Sequence, residues 1–200
     1  MVKFRYAKAW TDLVYGYTNA NHAAIELSNS GETTLTDVKA ELKDGTAFQI
    51  VSSPAGQISA GNKTTVSVKP VNGLGAGIYS DTLVISTANG SANVTLKATV
   101  AKGENTAVVT LTKTSVTSDS VTVSGQVSGA AGEIEYAISG DKNMVESKLV
   151  WQKDAQFTGL KEFTTYYVYS RVKETANVKA GQISQALGVT TLLSDPFVID

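Results

Sequence analysis

Strict period-two alternation of apolar and polar residues recurs along this chain. Ala92, Val94, Leu96, Ala98 and Val100 alternate with Asn93, Thr95, Lys97 and Thr99. Such alternation puts the apolar set on one face of an extended strand and the polar set on the other. Val66 and Val68 alternate in the same way with Thr65, Ser67 and Lys69. So do Val121, Val123 and Val127 with Thr122, Ser124 and Gln126, and Ile134, Tyr136 and Ile138 with Glu133, Glu135 and Ala137. Val and Thr dominate these runs, and branched β-carbons suit a pleated surface. Turn signals separate them: Asn29-Ser30-Gly31, Asp44-Gly45, Ser53-Pro54, Asn72-Gly73, Asn89-Gly90, Gly129 to Gly132 and Ser139-Gly140-Asp141. Asn89-Gly90 predicts a tight hairpin. No segment carries a helical stripe longer than two turns, so the pattern predicts an all-β sandwich or barrel.

The chain has 200 residues, and one immunoglobulin-like sandwich needs roughly 100. The polar, glycine-containing stretch Ala101-Lys102-Gly103-Glu104-Asn105 is the best boundary, giving domains 1–101 and 102–200. A linker this short would hold two sandwiches nearly end to end. Basic and acidic residues nearly cancel, 17 against 18, so no net field draws the chain to nucleic acid or an anionic membrane. There is no cysteine, which removes disulfides, thiolate zinc sites and thiol catalysis. No run of about 18 apolar residues is present, so no membrane insertion is expected. The start, MVKFRYAKAW, lacks the apolar stretch of a signal peptide. Val2, Phe4 and Tyr6 alternate with Lys3 and Arg5 as a first strand would. The end, Leu193 to Asp200, reads as the start of a connection onward.

Two sets of residues carry a family resemblance. In the first half they are Ile25-Glu26-Leu27-Ser28-Asn29-Ser30-Gly31, Leu35, Val38, Ala40, Leu42, Ile58-Ser59-Ala60-Gly61, Gly73 to Tyr79, Leu83 and Ile85. This half is similar to immunoglobulin-like repeats of large multimodular bacterial surface proteins. In the second half Tyr136, Trp151-Gln152, Phe157-Thr158-Gly159-Leu160, Tyr166 and Arg171 to Asn177 resemble a fibronectin type III-like module of the same kind of protein. Leu160 followed six residues later by Tyr166 resembles the turn that enters the penultimate strand of that sandwich. The proline usual in that turn is replaced by Lys161-Glu162-Phe163, and the tryptophan usual in the second strand is missing from Val121 to Val127. Trp151 is expected to fill that core role instead. The fold implied is two consecutive immunoglobulin-like and fibronectin type III-like β-sandwiches.

Each residue that suggests chemistry also has a structural reading. His22 is the only histidine; a triad or metal site needs partners around it, and a rim position at the start of a strand is expected. Gly73-Leu74-Gly75-Ala76-Gly77 lacks the Lys-Ser/Thr and the helix of a phosphate loop, so a glycine turn is expected. Glu133 and Glu135 share a strand face. In the fibronectin-like order they lie opposite Arg171 and Lys173, which predicts cross-strand ion pairs. Along the same strand Tyr166, Val168 and Val172 are expected inward, and Tyr167, Tyr169, Arg171 and Lys173 outward. Tyr167, Tyr169 and Arg171 are therefore the candidate ligand-binding residues, as an exposed aromatic platform. Tyr15, Tyr17, Trp10 and Trp151 are further aromatic candidates. No catalytic residue, metal ligand or cofactor site is read from the sequence.

The resemblance implies a non-enzymatic spacer segment of an extracellular, cell-surface protein, here a fragment lacking its signal peptide. Neighbouring modules of the same chain would be its partners, and the segment itself a monomer. Loops 139–146 and 174–181 are where recognition would sit. The alternative is an adhesion module that binds a cell-surface glycan or a host protein; an enzyme is a third possibility, for which no constellation of residues can be assembled. Some adhesin domains resembling this class carry a Lys–Asn isopeptide bond assisted by a buried acid, and no specific trio is singled out here.

Overall fold

The structure is a computed structural model that describes residues 2–4, 8–129 and 132–194. Tyr6 and residues 195–200, which hold most of the expected connection, lie outside the described residues. The chain divides into two compact units, Met1–Gly103 and Glu104–Asp200.

Among the described residues the first unit holds eight strands: β1 Val2–Phe4, β2 Lys8–Val14, β3 Ala23–Asn29, β4 Lys39–Leu42, β5 Phe48–Ser52, β6 Lys63–Pro70, β7 Gly77–Thr87 and β8 Gly90–Ala101. One sheet has the order β1-β3-β6-β5, the other β2-β8-β7-β4. This is the A-B-E-D and C-F-G partition of an immunoglobulin-like sandwich, with β2 added in parallel beside the last strand, Lys8 opposite Leu96 and Val14 opposite Ala101. The alternation read from β8 is realised: Val94, Leu96, Ala98 and Val100 are buried and the residues between them exposed. Leu27, Val66 and Val68 of one sheet meet Leu83, Ile85 and Leu96 of the other in a single core. Full burial of each such side chain contributes about 1.5–3 kcal/mol. Trp10 closes this core against Phe48, ring centroids 5.7 Å apart, and its indole N–H donates to the Asn21 carbonyl at 2.7 Å. Between β7 and β8 the hairpin is as tight as expected, but its central residues are Ala88 and Asn89, with Gly90 already paired to Thr87. Gly73 takes a left-handed φ of 77°, the turn role expected of that glycine run.

Asp81 is the buried acid of this unit. Its carboxylate accepts backbone N–H bonds from Asp44 at 3.1 Å and Gly45 at 2.9 Å, fastening the β4–β5 turn to β7. Burial pushes its pKa up, but the amides of Gly45, Asp44, Thr82 and Lys43 outweigh that and hold it below the ordinary value.

The second unit holds β9 Val108–Val116, β10 Val121–Ser128, β11 Ile134–Ser139, β12 Gln156–Phe157, β13 Thr165–Val172 and β14 Leu187–Thr190. Its sheets are β12-β10-β9 and β11-β13-β14, the E-B-A and C-F-G arrangement of the same sandwich class. Val121, Val123 and Phe157 of the first sheet pack on Tyr136, Val168 and Val189 of the second. The Leu160–Tyr166 turn is present: the Tyr166 hydroxyl accepts a bond from the Lys161 amide at 3.0 Å, the tie of a tyrosine corner. Where a proline was missing, Phe163 takes a φ of 46°, a conformation that costs a bulky residue of order 1–3 kcal/mol. Both units are therefore β-sandwiches, and the fold is all-β.

Two outcomes follow from these contacts. The Asp81 pKa is depressed in the folded chain, so its stabilisation is complete above the unfolded carboxyl pKa of about 3.9 and is lost as pH falls through the folded value. Asp81→Asn should destabilise the first unit by about 1–3 kcal/mol at pH 7 and flatten the decline of stability below about pH 4, read by urea unfolding at a series of pH values. In the second unit a Cβ at Gly125 would stand 2.9 Å from Val109 Cγ1 and 3.1 Å from the Tyr136 hydroxyl. Gly125→Ala should lower stability by about 1–3 kcal/mol through overpacking, seen as an earlier midpoint with unchanged m-value.

Candidate functional site

The outer face of the β11-β13-β14 sheet gathers most of the residues singled out in the sequence. Register places Glu135 opposite Arg171 and Ile134 opposite Val172. The cross-strand pairs form as expected: Arg171 Nε reaches Glu135 Oε1 at 2.7 Å and Lys173 Nζ lies 3.8 Å from Glu133 Oε2. Lys153 adds a closer partner for Glu133 at 3.0 Å. That hydrogen bond, then the charges of Lys153 and Lys173, hold the Glu133 carboxyl below its ordinary pKa.

Tyr169 departs from the expectation. It is buried, 5% exposed, and packs with Ala137 and Leu149, ringed by Met144, Trp151, Tyr167, Ile183 and Ala186. Its hydroxyl donates to the carbonyls of Lys142 at 2.6 Å and Asp141 at 3.3 Å. Burial, then the charges of Asp141 and Tyr167, raise its pKa. Tyr167 is half-buried at the margin of the same cluster. The two rings do not form an open platform, because the stretch from Asp141 to Trp151 folds back over the sheet and takes the face that alternation left outward. No local periodicity announces such a cover, so sequence reasoning missed it.

Arg171 stays at the surface of this cover. Its Nη1 reaches Glu146 Oε1 at 2.6 Å, and its guanidinium carbon stands 4.2 Å from the centre of the Trp151 ring. One side chain thus ties the sheet (through Glu135), the 3₁₀ turn Glu146–Lys148 and Trp151 together. Trp151 is accordingly not the inter-sheet core residue expected; it lies half-buried on the outer face. Gln152 sets it there, exchanging backbone bonds with Tyr136 at 2.7 and 2.8 Å. Beside these groups lies an open cavity of about 630 Å³ lined by Glu146, Ser147, Leu149, Trp151 and Arg171.

The other candidates are spread through the first unit. A groove of about 700 Å³ runs along β2 and includes Trp10, Tyr15, Tyr17 and His22. It begins at Lys8, directly after residues 5–7, which lie outside the described residues. The polar ends of two of its aromatics are engaged: Trp10 with the Asn21 carbonyl, and the Tyr17 hydroxyl with the Val71 carbonyl. His22 is exposed at the entry to β3, the rim position expected of it. Among the described residues, no three or more His, Cys, Asp or Glu side chains come together to hold a metal ion. Asn29 is the buried asparagine and donates its amide to the Thr33 and Ile58 carbonyls. No lysine from Lys8 to Lys179 is buried.

No protein-family model matches the chain, and no curated protein matches it in sequence. Among solved structures it is similar to the VesB protease of Vibrio cholerae, at 16% identity and a TM-score of 0.36, over 50% of this chain and 32% of that one. It is also similar to the FN1–FN3 domains of chicken CNTN1, at 13% identity and a TM-score of 0.39, over 94% of this chain and 68% of that one. Consecutive domains of titin give 11% identity and a TM-score of 0.40, over 96% and 66%. The chain thus spans about a third of the first of these proteins and about two thirds of the others.

The outer-face cover makes a separable prediction. Tyr169→Phe removes one buried hydroxyl bond and should cost about 0.5–1.5 kcal/mol. Arg171→Met should cost more, about 1–3 kcal/mol, because it strands the largely buried Glu135 carboxylate. Amide hydrogen exchange should localise the loss of protection to residues 141–152 in both variants.

Proposed function

We propose that this chain is a non-enzymatic structural segment of an extracellular bacterial surface protein, two sandwich modules that space and carry neighbouring modules. The observation that supports it most is the parallel pairing of β2 with β8, the last strand of the first unit. A chain pulled from its two ends draws these strands in opposite directions along their length. Beyond the three-residue β1 strand paired with β3, this parallel pair then loads all its ladder bonds together in shear, whereas a hairpin pulled open breaks them one at a time. The ladder is extended by the Tyr15 amide, which donates to the Ala101 carbonyl at 2.8 Å. Asp81 and Tyr17 likewise spend their polar atoms holding turns to strands within the same unit.

Composition is compatible with this reading, though equally with a cytosolic one: a cysteine-free chain of nearly balanced charge needs no oxidative maturation and has no net field to draw a polyanion. The function then lies in spacing, and the units act as monomers within a longer array.

Single-molecule pulling of the full chain tests the reading. Two unfolding events are expected, each releasing roughly 300 Å of contour for about 100 residues. Tyr15→Pro deletes the amide that bonds Ala101 and should lower the force of one event while leaving the other unchanged. Two weak events that are insensitive to this substitution would refute a load-bearing role.

A further inference from the structure

We propose that the open shelf formed by Trp151, Arg171, Glu146, Ser147 and Leu149 binds a neutral sugar residue of a glycan. The inference stands apart from the spacer reading and does not rest on it. Five side chains line the shelf on one side and it lies open to solvent on the other, so it could take a guest that stays partly exposed, such as one residue of a longer chain. The chemistry of its lining then narrows the guest.

The shelf is fixed before any ligand arrives. Leu149 is buried in the outer-face cluster, and Trp151 follows two residues later on the same side of an extended stretch. Gln152 locks that stretch to Tyr136, and the guanidinium of Arg171 holds the indole. A preorganised side chain costs a ligand less ordering entropy.

Charge favours no ion. One guanidinium faces two carboxylates, Glu135 and Glu146, and Lys148 ends the same 3₁₀ turn as Glu146, so the charges balance. No net field draws a phosphate, sulfate or uronate group to the shelf. A cation would have to compete with Arg171 for the indole face that the guanidinium covers and for Glu146 Oε1. What remains suits a neutral polyol. Arg171 has five N–H donors, of which Nε and one on Nη1 are spent on the carboxylates. The others, the Ser147 hydroxyl and the second oxygen of half-exposed Glu146 provide donors and an acceptor beside an apolar strip of Trp151 and Leu149. Neighbouring hydroxyls above an apolar C–H face are the complement of that arrangement, and an aromatic ring with a few convergent polar groups is the usual make-up of such a site.

The full chain offers a direct readout. Its two tryptophans give two indole N–H signals in an amide correlation spectrum, and Trp151→Phe assigns them. Cello-, xylo- and manno-oligosaccharides serve as neutral probes, oligogalacturonate as the anion, chitosan oligomers as the cation and adenosine as a flat non-sugar. A saturable shift of the Trp151 signal with at least one neutral oligosaccharide is expected, the Trp10 signal staying fixed. Affinity should fall at least tenfold in the Glu146→Ala/Ser147→Ala double variant. Ser147→Ala alone, at an exposed position, should keep the wild-type melting temperature and weaken binding less. No response to any neutral oligosaccharide, a response to oligogalacturonate, chitosan oligomers or adenosine alone, or undiminished binding in the double variant would each overturn the proposal.

Discussion

Everything in this protein depends on the burial of one alternating face of each sheet against the facing sheet. Leu27, Val66 and Val68 have no exposed area, and neither do Leu83 and Leu96 across from them. Side chains on a strand point to opposite faces in turn, so a shift of one residue in any ladder would send such a set to solvent. The ladders from β3 to β6 and from β7 to β8 are therefore held by the core as much as by their own hydrogen bonds. The loops inherit their positions from that register. Asp81 can reach the Asp44 and Gly45 amides only because β7 is fixed against β4 from Lys39 to Leu42.

The second unit places a further demand on one sheet, which is covered on both faces. Val168 faces the sandwich core while Tyr169, its neighbour, is sealed beneath the stretch that contains Leu149. Burial on both sides explains why β13 shows three consecutive buried residues, Val168 to Ser170, where strict alternation would leave the middle one open. Arg171 ends that run with a charge that two carboxylates and an indole share. The guanidinium is only partly exposed, so removing any partner leaves it less well compensated. The cover and the sheet consequently depend on each other.

The sandwich class, the strand faces of β8 and β10 and the Glu–Arg and Glu–Lys pairs of β11 and β13 were legible in the sequence. All rest on short-range periodicity or on pairing between strands whose faces periodicity already sets. The Leu160–Tyr166 turn was legible for a related reason: it is a local device with fixed spacing. The candidate site was legible only in part. Arg171 belongs to the shelf, but Tyr169 is beneath it, and Trp151 lies on the opposite face of the sheet from the core it was expected to fill. The missing information is long-range. Residues 141–151 have no strand of their own, and their docking is decided by Leu149, the Tyr169 hydroxyl and Glu146 acting across sequence separations that no alternating pattern records.

The same contrast explains where each unit tolerates conformational cost. Phe163 keeps a left-handed backbone within a turn whose ends are tied by the Tyr166 hydroxyl, by Thr191 to the Lys161 carbonyl and by Ser194 to Glu162. Those ties fix the backbone at 163 regardless of the side chain it carries, so the strain persists without a proline to set the turn. Ser170 presents the opposite case. Its Oγ lies fully buried without a hydrogen-bond partner among the described residues, on a strand whose backbone is paired on both sides with Tyr136 and Ser184. The ladder keeps this position extended, and the core on either side, Val168 and Val172, offers no acceptor. An unpaired hydroxyl there costs about 1–3 kcal/mol, far less than a charge at the same point would. Arg171, one residue further on, projects to the other face, where its carboxylate partners stand.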